Sequence, residues 1–117
     1  MTDEVRIYHN PRCSKSRQTL ELLREKGVEP KVIEYLKTPP KPAEIERLLD
    51  MLGLEPRALM RTNEAEYKDN NLGDESLSRG QLIEAFGRWP KLLQRPVVVV
   101  GDRATIGRPP EQVLSIL

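Results

Sequence analysis

Short apolar runs alternate with amphipathic stretches along this chain, and their order predicts the elements. Val5-Arg6-Ile7-Tyr8 alternates apolar and polar side chains and ends at Asn10-Pro11, the pattern of a strand running into a turn. From Ser14 to Lys26, Leu20, Leu22 and Leu23 mark a helix that Gly27 stops. Lys31 to Leu36 reads as a second strand. A strand, helix and strand in this order make two parallel strands joined by a right-handed crossover, so the C-terminal end of the first strand faces the helix N-terminus.

Between Thr38 and Leu93 the texture turns helical, with no strand signal. Pro42 to Leu52 carries Ile45, Leu48, Leu49 and Leu52 at helical spacing and stops at Gly53. Lys68 to Asp74, with Asn70-Asn71 and Gly73, reads as an exposed loop. Ser78-Arg79-Gly80-Gln81 has the form of a capping box, opening a helix through Leu82, Ile83, Phe86 and Trp89. Val97 to Val100 is the continuous apolar run of a buried strand, Gly101-Asp102 a hairpin turn, and Ala104-Thr105-Ile106 its partner. Pro110 to Leu117 predicts a short closing helix.

The resulting order is βαβ, a helical insertion over about 38–93, then ββα. It is the connectivity of an α/β protein with a thioredoxin-like mixed sheet. A length of 117 residues fits one such domain, 1–117, with a single core. This fold brings Pro96 opposite Cys13. A proline opening a buried strand is a candidate for a cis peptide bond, while an ordinary trans proline remains the alternative that base rates favour.

Charge narrows the partners. The 19 basic residues are balanced by 18 acidic ones, so no global field attracts nucleic acid or an anionic membrane, and any anion site must be local. One cysteine allows no internal disulfide framework. With no apolar N-terminal leader or long apolar span, the chain is expected to be cytoplasmic. One His and one Cys without a matching carboxylate pattern predict no zinc site.

The single cysteine lies where chemistry is expected, in His9-Asn10-Pro11-Arg12-Cys13-Ser14-Lys15-Ser16-Arg17, between the first strand and the first helix. An inert core cysteine in an amphipathic helix has apolar residues three and four positions away, whereas the flanks of Cys13 are polar and cationic. At a helix start, unpaired backbone N–H groups and the macrodipole favour thiolate, and Arg12, Lys15 and Arg17 are expected to add to that bias. Arg95-Pro96 and Arg108-Pro109 bracket the terminal hairpin, and Arg61 follows Ala58-Leu59-Met60. Exposed arginine is the norm, but Arg95 is fixed beside a strand start and can point toward Cys13. Planar guanidinium groups bind tetrahedral oxyanions through paired donors.

Over essentially its whole length the sequence resembles the glutaredoxin-coupled arsenate reductases of the ArsC type. The motifs are Tyr8 to Arg17, Thr38-Pro39-Pro40, Leu59-Met60-Arg61, Arg95 to Val99, and Ile106-Gly107-Arg108-Pro109. The resemblance implies that Cys13 is the nucleophile and that Arg61, Arg95 and Arg108 bind the oxyanion. It also implies that His9 helps activate Cys13, although a histidine ending a strand serves equally well as a structural hydrogen-bonding residue. Ser16, Arg17 and Pro96 are supporting residues. Reduction of arsenate to arsenite takes two electrons and two thiols, and this chain owns one, so the family's answer is glutathione as co-substrate with glutaredoxin resolving the mixed disulfide. No bound cofactor, nucleic acid or membrane is implied, and the expected state is a monomer.

Phosphate, equal in shape and charge, is expected to compete without being reduced. Ser16 stands where many superfamily members carry the second cysteine of Cys-X-X-Cys, which argues against an autonomous disulfide oxidoreductase. Two other readings stay open: a glutathione-dependent monothiol reductase of another small oxidant or mixed disulfide, and a Spx-like redox regulator that binds RNA polymerase. A phosphatase-like Cys-X5-Arg loop is absent, since Arg17 follows Cys13 too soon.

Overall fold

The computed structural model describes residues 4–117. The chain forms two compact units, Met1–Thr38 with Arg95–Leu117, and Pro39–Gln94.

The first unit is built on a four-stranded sheet in the order β2-β1-β3-β4. Its strands are β1 (Val5–Tyr8), β2 (Lys31–Ile33), β3 (Val97–Val100) and β4 (Arg103–Ile106). β1 runs parallel to β2 and antiparallel to β3, and β3 to β4 is an antiparallel hairpin with Val97 opposite Ile106. This is the thioredoxin-like mixed sheet expected from the element order. Helix α1 (Ser14–Glu25) is the crossover. Leu23 of α1 packs with Ile7, Val98 and Val100 of the sheet and with Val113 and Ile116 of the C-terminal segment. Every residue of β3 is buried, which explains its unbroken valine run. Gly27 ends α1 at φ 79° and Gly101 turns the hairpin at φ 60°, conformations that cost a side chain dearly.

Two expectations here need correction. β2 stops at Ile33 instead of Leu36, because Lys37 and Thr38 donate their amides back to the Glu34 carbonyl and close a turn that buries Tyr35. The closing segment Pro110–Ile116 is 3₁₀, not α. The peptide bond Arg95–Pro96 is cis, and so is Arg108–Pro109.

In the second unit, α2 (Pro42–Leu52) buries Ile45, Leu48 and Leu49 and packs on α4 (Arg79–Arg88), which buries Leu82, Ile83, Ala85 and Phe86. The capping box is present: Ser78 Oγ accepts from the Gln81 amide and Gln81 Oε1 accepts from the Ser78 amide. Short 3₁₀ turns occupy Pro56–Leu59 and Pro90–Leu92. The expected loop from Lys68 begins inside a short helix, α3 (Ala65–Asp69), and is not wholly exposed, since Leu72 is buried. Arg57 pins that segment by donating to the carbonyls of Leu72 and Asp74. One piece of extended pairing was not expected in this region, a bridge between Met60 and Leu93.

Candidate active site

The loop from β1 to α1 is held by its own backbone and by three side chains. The His9 amide continues the sheet by donating to Ile33 O at 2.8 Å. Asn10 Oδ1 accepts from the Arg12 amide at 3.0 Å, and the Cys13 amide donates to Asn10 O at 3.0 Å, which folds the chain tightly across Pro11. Arg17 Nη1 donates to Pro11 O at 2.9 Å and ties the same turn to α1. Cys13 is the N-cap of α1, in an extended conformation, with its carbonyl accepting the first helical bond from the Arg17 amide. Its side chain makes no capping hydrogen bond and the first turn carries no acidic residue. The positive end of the helix is therefore left for the sulfur.

Beneath the cysteine lies a small polar cluster. Ser16, fully buried, accepts at Oγ from the Asn10 amide at 3.0 Å and shares a hydrogen bond with His9 Nδ1 at 2.6 Å. His9 is buried too, and burial is the main reason its pKa lies below the usual imidazole value. Glu34 opposes that shift, while Arg24 and Arg17 reinforce it. Burial thus favours the neutral ring of His9. The hydrogen-bonding reading of His9 is realised directly, through Ser16.

Arg95 and Arg108 complete the geometry. Arg108 Nε donates to Arg95 O at 2.8 Å, and its Nη2 lies 3.8 Å from Cys13 Sγ. Arg95 Nε is buried and has no hydrogen-bond partner. An unpaired buried donor costs about 1–3 kcal/mol, so an acceptor placed against Arg95 Nε would be favourable. Burial is the largest single influence on the Cys13 thiol and opposes its ionisation. The Ser16 amide, the Arg95 charge, the Lys15 amide and the Arg108 charge together outweigh burial and hold the pKa below the ordinary thiol value. The cations that act on the sulfur are thus the distant Arg95 and Arg108, whereas Arg12, Lys15 and Arg17 were the ones expected from the sequence. Lys15 contributes through its backbone.

Cys13, His9, Ser16, Arg17, Arg95, Pro96 and Arg108 all belong to the first unit. Arg61 belongs to the second, where its guanidinium pairs with Glu64. Sequence reading missed two contributors. Asn10, signalled only by its place before a proline, supplies both the turn and the amide that holds Ser16. Thr19, fully buried in α1, continues the Ser16 face and donates its hydroxyl to Lys15 O at 2.8 Å. Among the described residues no group of three or more His, Cys, Asp or Glu side chains is placed to hold a metal ion, and no helix is long and apolar enough to cross a membrane.

Comparison with known proteins gives consistent results. The chain is 57% identical over 118 residues to the uncharacterized protein YfgD of Escherichia coli, covering 100% of this chain and 99% of that protein. It is 46% identical to a Haemophilus influenzae protein named arsenate reductase, covering 97% and 98% of the two chains. A solved structure of arsenate reductase from Vibrio cholerae superposes with a TM-score of 0.96 at 53% identity, covering both chains completely. The model of the ArsC family matches residues 8–116. A match of that extent, on a chain whose cysteine caps a helix beside two arginines, means that this protein belongs to the ArsC family.

Proposed function

We propose that this protein is an oxidoreductase that reduces arsenate to arsenite, with Cys13 as nucleophile and glutathione and glutaredoxin supplying the second thiol. The observation that carries the reading is the convergence on one sulfur of Arg108 Nη2, 3.8 Å away, and the charge of Arg95, whose buried Nε lacks a partner. Two guanidinium groups beside a thiolate suit a small tetrahedral oxyanion better than a neutral disulfide. The names of the Haemophilus and Vibrio relatives supply arsenate as that oxyanion.

In this mechanism the Cys13 thiolate attacks arsenic, an S–As bond forms, and one arsenate oxygen leaves as water after taking up protons. Glutathione thiolate then attacks the Cys13 sulfur. An S–S bond forms while the S–As bond breaks, and its electron pair remains on arsenic, which departs as arsenite. A glutaredoxin thiol reduces the mixed disulfide and returns Cys13. Arg95 and Arg108 offset charge on the arsenic oxygens, and Arg95 Nε gains an acceptor when the anion arrives. Arg61 enters this reading on the family resemblance alone. Ser16 and His9 hold the first turn of α1 so that its amides keep facing the sulfur, and Arg17 and Pro96 support the walls of the site.

The experiment is arsenite production by the purified protein with arsenate, glutathione and glutaredoxin, each thiol omitted in turn, beside Cys13→Ser. The expected result is turnover that needs both thiols and falls to background in Cys13→Ser. Turnover retained in that variant, or none in the wild-type protein, overturns the reading.

A further inference from the structure

Gly107 sits at the end of β4, where the chain must deliver Arg108 to Cys13. Its amide donates to Pro96 O at 2.9 Å, and the Arg108 amide donates to Ile106 O at 2.9 Å, a tight three-residue turn centred on the glycine. Its φ lies outside the positive range that favours glycine, so the backbone there admits any residue. Space excludes a side chain instead. A Cβ at 107 would lie 2.8 Å from Thr19 Oγ1, 3.2 Å from Thr19 Cγ2 and 2.9 Å from Pro96 Cγ. Neither neighbour yields easily: Thr19 is fully buried and bonded to Lys15 O, and Pro96 has a rigid ring.

We propose that Gly107 is a positioning residue of the active site, its missing side chain letting the end of β4 nestle between Thr19 and Pro96 so that Arg108 reaches the Cys13 sulfur. The proposal rests on the anion-site reading of Arg108 given above. A methyl group at 107 forces the turn away from Thr19 and Pro96, and Arg108, the next residue and bonded through its amide to the same turn, moves with it against its Nε bond to Arg95 O. The sulfur then loses one of the two guanidinium charges that favour its thiolate.

The test is the alkylation rate of Cys13 at neutral pH, with no oxidant present, in wild type, Gly107→Ala, Arg108→Ala and the double variant, each checked for folding by circular dichroism. Gly107→Ala is expected to slow alkylation about threefold or more, toward the rate of Arg108→Ala, and to add nothing in the Arg108→Ala background. A folded Gly107→Ala with the wild-type rate, or additive losses in the double variant, overturns the proposal. Gly107→Ala combined with Thr19→Ala removes one wall of the crevice and leaves the Pro96 ring in place, so it is expected to recover part of the lost rate. Absence of recovery, or failure of both Gly107→Ala variants to fold, assigns Gly107 to the fold and not to Arg108. Because no oxidant enters, these results are independent of whether arsenite is produced.

Discussion

Two helices of this protein begin in opposite ways. α4 is closed by its own sequence: Ser78 and Gln81 exchange side-chain and backbone hydrogen bonds, and two amides that the helix cannot pair internally are satisfied. α1 begins with Cys13, whose side chain makes no capping bond. The amides of Lys15 and Ser16 instead favour the thiolate form of that residue. The same exposed donors are thus satisfied by side chains at the start of α4 and left to favour a negative sulfur at the start of α1.

The largest effect that separates the two starts lies with Arg95 and Arg108, whose charges act on the Cys13 sulfur at the start of α1. Arg95→Ala is expected to raise the arsenate concentration needed for half-maximal rate by about 10- to 100-fold, the equivalent of a lost charge-assisted hydrogen bond of about 1.5–3 kcal/mol. Arg95→Lys is expected to cost less, because charge survives while the paired donors do not. Equal effects in steady-state assays would contradict oxyanion binding through a fork of donors.

Stability should divide the helices next. Ser16→Ala strands His9 Nδ1 and the Asn10 amide beneath the cysteine. It is expected to lower unfolding free energy by about 1–3 kcal/mol in urea titrations and to slow thiol alkylation as well. Ser78→Ala removes a cap and is expected to cost about 1 kcal/mol, with alkylation of Cys13 unchanged. A change in thiol reactivity from Ser78→Ala would erase the distinction drawn between the two ends.

The sequence reveals features whose cause is local. Gly27, Gly53 and Gly101 end or turn elements at positive φ, and the Ser78 capping box stands where its spacing places it. The valines of β3 announce full burial. What escapes is decided by contacts remote in sequence. The run from Lys31 to Leu36 alternates well enough for a strand, yet Tyr35 is buried by a turn, and a single bridge such as Met60 to Leu93 has no periodic signature. At the site, Cys13, Arg95 and Arg108 are legible as residue types. The orphaned Arg95 Nε, the role of Thr19 and the crowding at Gly107 exist only once β4 and α1 are packed. For the same reason the charges that lower the Cys13 pKa come from Arg95 and Arg108, remote in sequence.

The central claim is that the open start of α1, with Arg95 and Arg108, keeps Cys13 in its reactive ionised form. The pH dependence of Cys13 alkylation by iodoacetamide measures this directly. Only the thiolate reacts, so the rate must rise with pH through the thiol pKa, and a pKa lowered in the folded protein moves that rise to lower pH. The expected profile has its midpoint below that of an ordinary thiol, and shifts upward in Arg108→Ala. A wild-type profile that titrates like a free cysteine, and does not respond to Arg108→Ala, would contradict the account.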